Sequence, residues 1–401
     1  MIVSTLFWTN FSLFFWTYFG YPLLMWYRAR MAGKVTPAPI EDEDSLPSVT
    51  LLIPAYNEID VIQRKLDNSL AIDYPKLEIM LIDDGSDDGT LELGRKYAQE
   101  HGVRLVEKAQ RSGKMTSVNM GFELATSDIV ILSDASPSYE TDAIRQLVKH
   151  FQNPQIGVVV GTLAVWDAQN AVAKPAGLYW QYEAALREWE SATGSTVAVH
   201  GNMFAIRREL YRPLKAGTVN DEFSIAMEVL RQGKRVIYER DAVSYDDASN
   251  NMGDEFKRRI RINAGRYQAL FSAGYLNAPS AEVSFRLFSH KLLRPLTPVF
   301  MVLMLLTNIL GLVFGVGRGL FRLGGWLGGL LLFGQVAVYG LAFLGWLAER
   351  GNRSVRLLSV PYFFVSSNFA ALLGLWRWMR GSQKVTWQKR QAIQSDNQES
   401  K

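Results

Sequence analysis

At 401 residues the chain has room for roughly two or three domains. It contains no Cys, which excludes disulfides and Cys-based metal or redox sites. Its net charge of +4 is modest, and the basic residues crowd beside apolar runs, which favours membrane anchoring over nucleic-acid binding.

Met1 to Tyr27 carries no charge before Arg28 and holds Trp8, Trp16 and Trp26. At about 1.5 Å per residue it can cross a hydrocarbon core of about 30 Å. With no basic leader and no small-residue cleavage site, it reads as a retained anchor, and Arg28, Arg30 and Lys34 behind it place the next domain in the cytoplasm. A linker over 28–47 follows.

Ser48 to Ile53 is β-rich and ends at Pro54-Ala55-Tyr56-Asn57-Glu58, after which Ile59 to Leu70 reads as a helix. Leu77 to Thr90 repeats the pattern: an apolar strand runs into Asp83 and Asp84, then an acidic turn, then a helix start at Asp88 to Thr90. Arg104 to Val106 is a third strand and Gly113 to Ala125 a helix. Ile129 to Leu132 then runs into Ser133-Asp134-Ala135-Ser136, with a helix expected from about Tyr139. Four strand-then-polar-loop units predict a largely parallel sheet with its polar loops along one edge. That edge gathers Tyr56, Glu58, Asp84, Lys114 and Asp134.

Such an edge is where ligands sit in a doubly wound sheet. A carboxylate there can accept a hydrogen bond from a base N–H or a ribose hydroxyl, or hold a divalent cation. The plainer alternative is capping, with Asp87 or Asp88 satisfying helix N–H groups. Lys114, at a helix start, can face a diphosphate together with the helix N-terminus, or be a solvated surface Lys. Asp134 ends a buried strand and needs a metal or hydrogen-bond partner, unless it caps the next helix.

Beyond Ile156 to Gly161 and an amphipathic helix over Leu178 to Glu190 comes His200-Gly201-Asn202. No second His lies at metal spacing, so His200 reads as a hydrogen-bonded structural or substrate-contacting residue. Asn220-Asp221-Glu222 precedes a helix ending near Gly233; the acids suit the helix dipole, and the same position can hold a general base. Lys257, Arg258, Arg259, Arg261 and Arg266 make a basic helix suited to phosphates or anionic lipid.

Residues 284–294 read as an interfacial amphipathic helix, and Pro295 to Val316, Trp326 to Leu347 and Leu358 to Trp376 as membrane spans. A cytoplasmic domain followed by three spans would leave the tail outside. Arg377, Arg380, Lys384, Lys389 and Arg390 favour the inside, a conflict the sequence leaves open; a re-entrant or interfacial span, with the Gly-rich stretch near 324–334 as the candidate, would resolve it.

Together these motifs resemble the membrane-bound family 2 glycosyltransferases, whose members include cellulose and hyaluronan synthases. The likeness runs over about 48–270 and continues in the layout of anchor, catalytic domain and membrane bundle. It implies an inverting enzyme with a GT-A-type Rossmann-like mixed sheet (α/β), a nucleotide-sugar donor, commonly UDP-linked, and Mg²⁺ or Mn²⁺. By that resemblance Pro54, Ala55, Tyr56, Glu58, Asp83 and Asp84 serve the nucleotide, and Lys114 approaches the diphosphate. Asp134 is the first acid of a metal-binding Asp-x-Asp whose second is Ser136 here, a weaker uncharged ligand. Glu222 falls at the catalytic base, with Asp221 as fallback. Arg258 and Arg261 stand in the place of Gln-x-x-Arg-Trp, whose Trp is Ile262 here, which argues against processive polymerisation.

The implied function is sugar transfer to a lipid or glycan acceptor at a plasma or inner membrane, with the catalytic domain cytoplasmic and membrane lipids or other polysaccharide-assembly proteins as partners. The alternatives are a processive synthase, a nucleotidyltransferase and an inactive membrane scaffold. The expected division is 1–27 anchor, 28–47 linker, 48–283 catalytic domain, 284–294 interfacial helix, 295–376 membrane bundle and 377–401 tail.

Overall fold

The protein is described from a computed structural model, which covers residues 2–33, 37, 39–40, 42–165, 173–246, 252–317, 322–351 and 355–381. The chain forms two compact units. One, over 36–166 and 199–250, holds the sheet; the other, over 1–35, 167–198 and 251–383, is helical. The linker around 34–41, the loop 166–172 and the tail beyond 381 lie wholly or partly outside the described residues.

In the sheet unit the elements run β1 (Val49–Ala55), α3 (Ile59–Leu70), β2 (Leu77–Asp83), α4 (Thr90–His101), β3 (Arg104–Glu107), α5 (Lys114–Leu124) and β4 (Ile129–Leu132). They continue as β5 (Ser138–Tyr139), α6 (Ala143–Val148), β6 (Ile156–Val165), β7 (Phe204–Arg207), α8 (Asp221–Arg231) and β8 (Arg235–Asp246). The eight strands form one sheet in the order β3-β2-β1-β4-β7-β6-β8-β5. The run β3-β2-β1-β4 is parallel, with Ala55 opposite Asp83 and Leu52 opposite Leu132. Every residue of β1 is buried, as a strand covered on both faces requires.

The parallel register brings the carboxyl ends of β1, β2 and β4 to one edge, as the sequence pattern predicts. Strand β7 pairs antiparallel with β4, Leu132 opposite Phe204, so its start, with the preceding loop 199–203, comes to that same edge. One boundary differs from expectation. Tyr139 belongs to the short strand β5 and the next helix begins only at Ala143, because Ser138 and Tyr139 find a ladder partner in β8.

In the helical unit the N-terminal segment is α1 (Ile2–Phe15), a π-helical turn (Trp16–Gly20) and α2 (Tyr21–Ala32). α7 (Ala173–Ala192), α9 (Met252–Tyr267), α10 (Ala281–Arg286), α11 (Leu293–Val313), α12 (Trp326–Arg350) and α13 (Arg356–Met379) complete it. Three stretches are long and apolar enough to cross a membrane: Ala281–Val313, Trp326–Arg350 and Leu357–Met379. Phe333, Val336 and Phe343 of α12 are exposed, as lipid-facing side chains would be. The N-terminal segment is not among the three, since polar residues dilute it. Asn10 and Thr17 turn their polar atoms back to the Leu6 and Leu13 carbonyls, 2.7 Å each, and Phe7 packs with Met301 and Met304.

Two sequence expectations change in this unit. The Gly-rich stretch near 324–334 is no re-entrant break; it opens the continuous 25-residue helix α12. Residues 284–294 are not a separate surface helix either, but run through a π-helical turn, Leu287–Leu292, into α11. Arg286, His290, Lys291 and Arg294 are all buried there. Arg286 donates to the Thr193 carbonyl at 2.9 Å, His290 lies 2.8 Å from Glu190, and Arg294 pairs with Glu183. An alternation of charged and apolar residues marks a two-faced helix but not which face meets lipid; here Glu183 and Glu190 of α7 draw the basic face inward.

Candidate active site

Two loops of the sheet unit are set by acids at the end of β2. Asp83 Oδ2 accepts from the backbone N–H of Gly85 and Ser86, at 3.0 and 2.9 Å, closing the acidic turn. Asp84 is completely buried and turns the other way. It accepts from Lys108 Nζ at 2.5 Å, from the Ser112 N–H at 3.0 Å and from the Gly113 N–H at 2.7 Å. Burial pushes its carboxyl up, but these charged and backbone donors outweigh that and hold it below the usual range. Asp84 thus fixes the 108–113 loop, and a nucleotide base would reach it only by displacing Lys108.

Asp87 and Asp88 act as caps and braces. Asp88 accepts from the Thr90 N–H at 3.1 Å at the start of α4, and Asp87 accepts from Asn57 Nδ2 at 2.7 Å. Asn57 has φ 55° and Asn220 has φ 63°; they are the two non-glycine residues at positive φ among the described residues. Both lie at this edge, one after β1 and one before α8, where left-handed backbone costs energy and redirects the chain. Pro54 and Ala55 end β1, Glu58 opens α3, and the Glu58 N–H donates to Thr90 Oγ1 at 2.9 Å. The Tyr56 ring carries the Arg111 guanidinium 4.0 Å from its centre.

From Gly113 the chain enters α5, and Lys114 extends into a ring of acids. Its Nζ lies 2.9 Å from Asp134 Oδ1, 3.0 Å from Asp221 Oδ2 and 3.0 Å from Glu222 Oε1. Burial favours the neutral amine, but three carboxylates outweigh it and raise the Lys114 pKa well above the ordinary value. The two acids at the head of α8 separate. Burial and the Asp221 charge push Glu222 up to about 8, whereas at Asp221 the Lys114 ammonium overcomes burial and keeps the carboxyl low. Neighbouring acids driven to opposite protonation states are an acid–base arrangement.

Gly201, in the loop before β7, closes over this cluster. A Cβ there would fall onto Glu222 Oε1, so the loop approaches as closely as backbone can. His200 Nε2 meets the Gly161 carbonyl at 2.9 Å and holds that loop to β6.

Asp84, Lys114, Asp134, Asp221 and Glu222 therefore meet around residues 113–114. Arg258 and Arg261 lie in the helical unit on α9. Arg258 Nε pairs with Glu255 at 2.9 Å, while Arg261 is exposed and makes no ion pair among the described residues. Lys108, Arg111 and Gly201 escaped sequence reasoning. Only their proximity to Ser112-Gly113-Lys114 and to His200 hinted at them.

Residues 50–214 match the family model described as glycosyl transferase family 2. The matched stretch runs from β1 to β7 and includes Asp84, Lys114, Asp134 and Gly201, ending shortly before Asp221 and Glu222. Among curated proteins, the poly-beta-1,6-N-acetyl-D-glucosamine synthase of Staphylococcus aureus (strain MSSA476) is 25% identical over 232 residues, 57% of this chain and 56% of that protein. The synthase of the same name from Staphylococcus epidermidis is 20% identical over 267 residues, 65% of each chain. The chain thus spans a little over half the length of the first of these relatives. Among solved structures, the mannosyltransferase PcManGT from Pyrobaculum calidifontis, in complex with GDP-Man and Mn2+, aligns at a TM-score of 0.72 and 22% identity over 94% of this chain and 99% of its own. The fold is the GT-A glycosyltransferase fold accompanied by apolar helices.

Proposed function

We propose that the chain is an inverting glycosyltransferase, moving a sugar from a nucleotide diphosphate sugar to a hydroxyl of a lipid or glycan acceptor at a membrane. The observation that carries this reading is the convergence of Asp134, Asp221 and Glu222 on Lys114, beside the loop that Asp84 fixes. Glu222 takes the proton as the acceptor oxygen bonds to the anomeric carbon. The bond from that carbon to the phosphate oxygen breaks, and its electron pair leaves with the diphosphate. Attack and departure on opposite faces invert the anomeric centre. Lys114 moves from the acids to the diphosphate charge.

Among the described residues no group of three or more Asp, Glu or His side chains is arranged to hold a metal. Asp134 nevertheless fits one: its carboxylate is the most exposed of the three around Lys114, 39% against 11% and 13%, and already pairs with a cation. A single carboxylate plus substrate phosphates suffices for Mg²⁺ or Mn²⁺. When bound, the ion would neutralise charge on the departing diphosphate.

A UDP-N-acetylhexosamine is the first donor to test, given the product named for the Staphylococcus relatives. That name also favours a second reading, processive synthesis of a polysaccharide, against which Ile262 offers no aromatic face for an acceptor sugar. Purified protein in detergent should consume one class among UDP-, GDP- and dTDP-sugars, and product length should separate single transfer from polymerisation. Consumption of none, with and without Mn²⁺, overturns the proposal.

A further inference from the structure

One face of α3 grips the segment between β4 and β5. Arg64 Nη2 donates to the Ser136 carbonyl at 3.3 Å, and Lys65 Nζ to the Pro137 carbonyl at 2.9 Å. Asn68 takes both sides of the Tyr139 peptide, its Nδ2 to the carbonyl at 2.8 Å and its Oδ1 from the N–H at 2.7 Å. Positions 64, 65 and 68 share one helix face, so a single rigid element holds the segment that starts at Asp134.

Lys65 is the unusual member. It is 1% exposed, and its Nζ lies 3.9 Å from the centre of the Tyr139 ring. A buried ammonium is costly unless compensated. Here a carbonyl, an aromatic face and the field of Asp134 and Asp246 compensate it in part, and burial still pulls its pKa down to about 7. Lys65 belongs to none of the nucleotide or acid motifs.

Tyr139 carries the connection onward. Its hydroxyl donates to the Asn202 carbonyl at 2.7 Å, and Asn202 Nδ2 donates to Asp246 Oδ2 at 3.1 Å. Asn202 follows Gly201, whose backbone presses on Glu222. A short path of direct contacts therefore leads from Lys65 through Tyr139 to the wall above Glu222, and the same tyrosine sits at the end of the loop bearing Asp134.

We propose that Tyr139, seated on Lys65, is a positioning residue that ties the Asp134 loop to the Gly201 loop, so that the two walls of the acid cluster keep one spacing. This rests on the reading of Glu222 as the base. Displacement of about 1 Å between reacting groups is enough to cost about 100-fold in rate. Tyr139 and Lys65 act through backbone and need not touch substrate.

The test uses Tyr139→Phe, which keeps the ring over Lys65 and removes only the hydroxyl, and Lys65→Met, which keeps the length and removes the charge. In full-length protein each should lower kcat about 10-fold while the nucleotide dissociation constant stays within about two-fold. Being parts of one connection, the double variant should be no more than about two-fold worse than the worse single. Backbone amide exchange over 199–203 should accelerate in Tyr139→Phe. Unchanged exchange, unchanged kcat, or a loss of nucleotide affinity in step with kcat each overturn the proposal. Faster exchange in a protein whose wild type consumes no nucleotide sugar instead overturns the glycosyltransferase reading, and leaves the coupling of the two loops established.

Discussion

Lys114 Nζ stands 3.0 Å from Glu222 Oε1 and 3.0 Å from Asp221 Oδ2, so one ammonium serves two adjacent acids at the head of a helix. Lys114→Met leaves those acids and Asp134 without their counter-charge. Removing one partner of a buried ion pair costs about 3 kcal/mol. The thermal unfolding midpoint of the detergent-solubilised protein should fall and transfer should drop more than 100-fold. A variant as stable and active as wild type would remove Lys114 from the site.

Glu222, held up to about 8, sets the pH dependence. A base must be unprotonated, so kcat should rise with pH and level off above about 8. Stability runs the other way. Between the ordinary carboxylate range and about 8 the folded protein binds a proton that the unfolded chain has released, so this contribution is full at acid pH and is lost as pH rises through that window. Glu222→Gln should bind nucleotide, abolish transfer and flatten that part of the stability profile. Unfolding midpoints and initial rates from pH 5 to 9 check both.

Gly201→Ala puts a methyl group where Glu222 Oε1 lies. Overpacking of this kind costs about 1–3 kcal/mol. If the carboxylate yields, kcat should fall about 100-fold with nucleotide affinity kept, as measured by titration calorimetry beside steady-state rates.

Asp84→Ala takes the carboxylate from Lys108, leaving it the Ser117 hydroxyl, and strands the N–H groups of Ser112 and Gly113. Leaving buried donors unpaired costs about 1–3 kcal/mol each. Loss of nucleotide binding together with stability is expected, unlike the purely kinetic loss at Glu222.

Ser136→Asp supplies a second acid two positions beyond Asp134. Mn²⁺ affinity, read by electron paramagnetic resonance in the presence of nucleotide diphosphate, should rise about 10-fold or more. No change would mean that position 136 does not face the ion.

The first half of the sheet was legible because its signals are local: apolar runs such as Ile129 to Leu132 that stop on polar loops. The meeting of Asp84, Lys114 and Asp134 at one edge followed from parallel pairing alone. Gly201 was not legible, since its place over Glu222 depends on β7 running antiparallel to β4, a pairing between distant segments. Tyr139 was read as a helix start for a similar reason, its strand partner Ser244 lying more than 100 residues away. In α7, the sequence shows an amphipathic pattern over Leu178 to Glu190 but not what Glu183 and Glu190 face. Their burial against Arg294 and His290 appears only once residues 286–294 fold onto them, which also explains why 167–198 belongs with the apolar helices and not with the sheet.

The interred basic residues at the start of the helix Ala281–Val313 have a consequence for depth in a bilayer. His290 and Arg294 are tied to α7 and Arg286 to Thr193 just past its end, and they cannot slide toward lipid tails without breaking those ties. Only Pro295 to Val313 is left to be immersed, roughly 28 Å of helix, close to one hydrocarbon thickness. The charged knot therefore works as a plumb mark, fixing how deep this helix sits and hence the height at which α7 meets the headgroups.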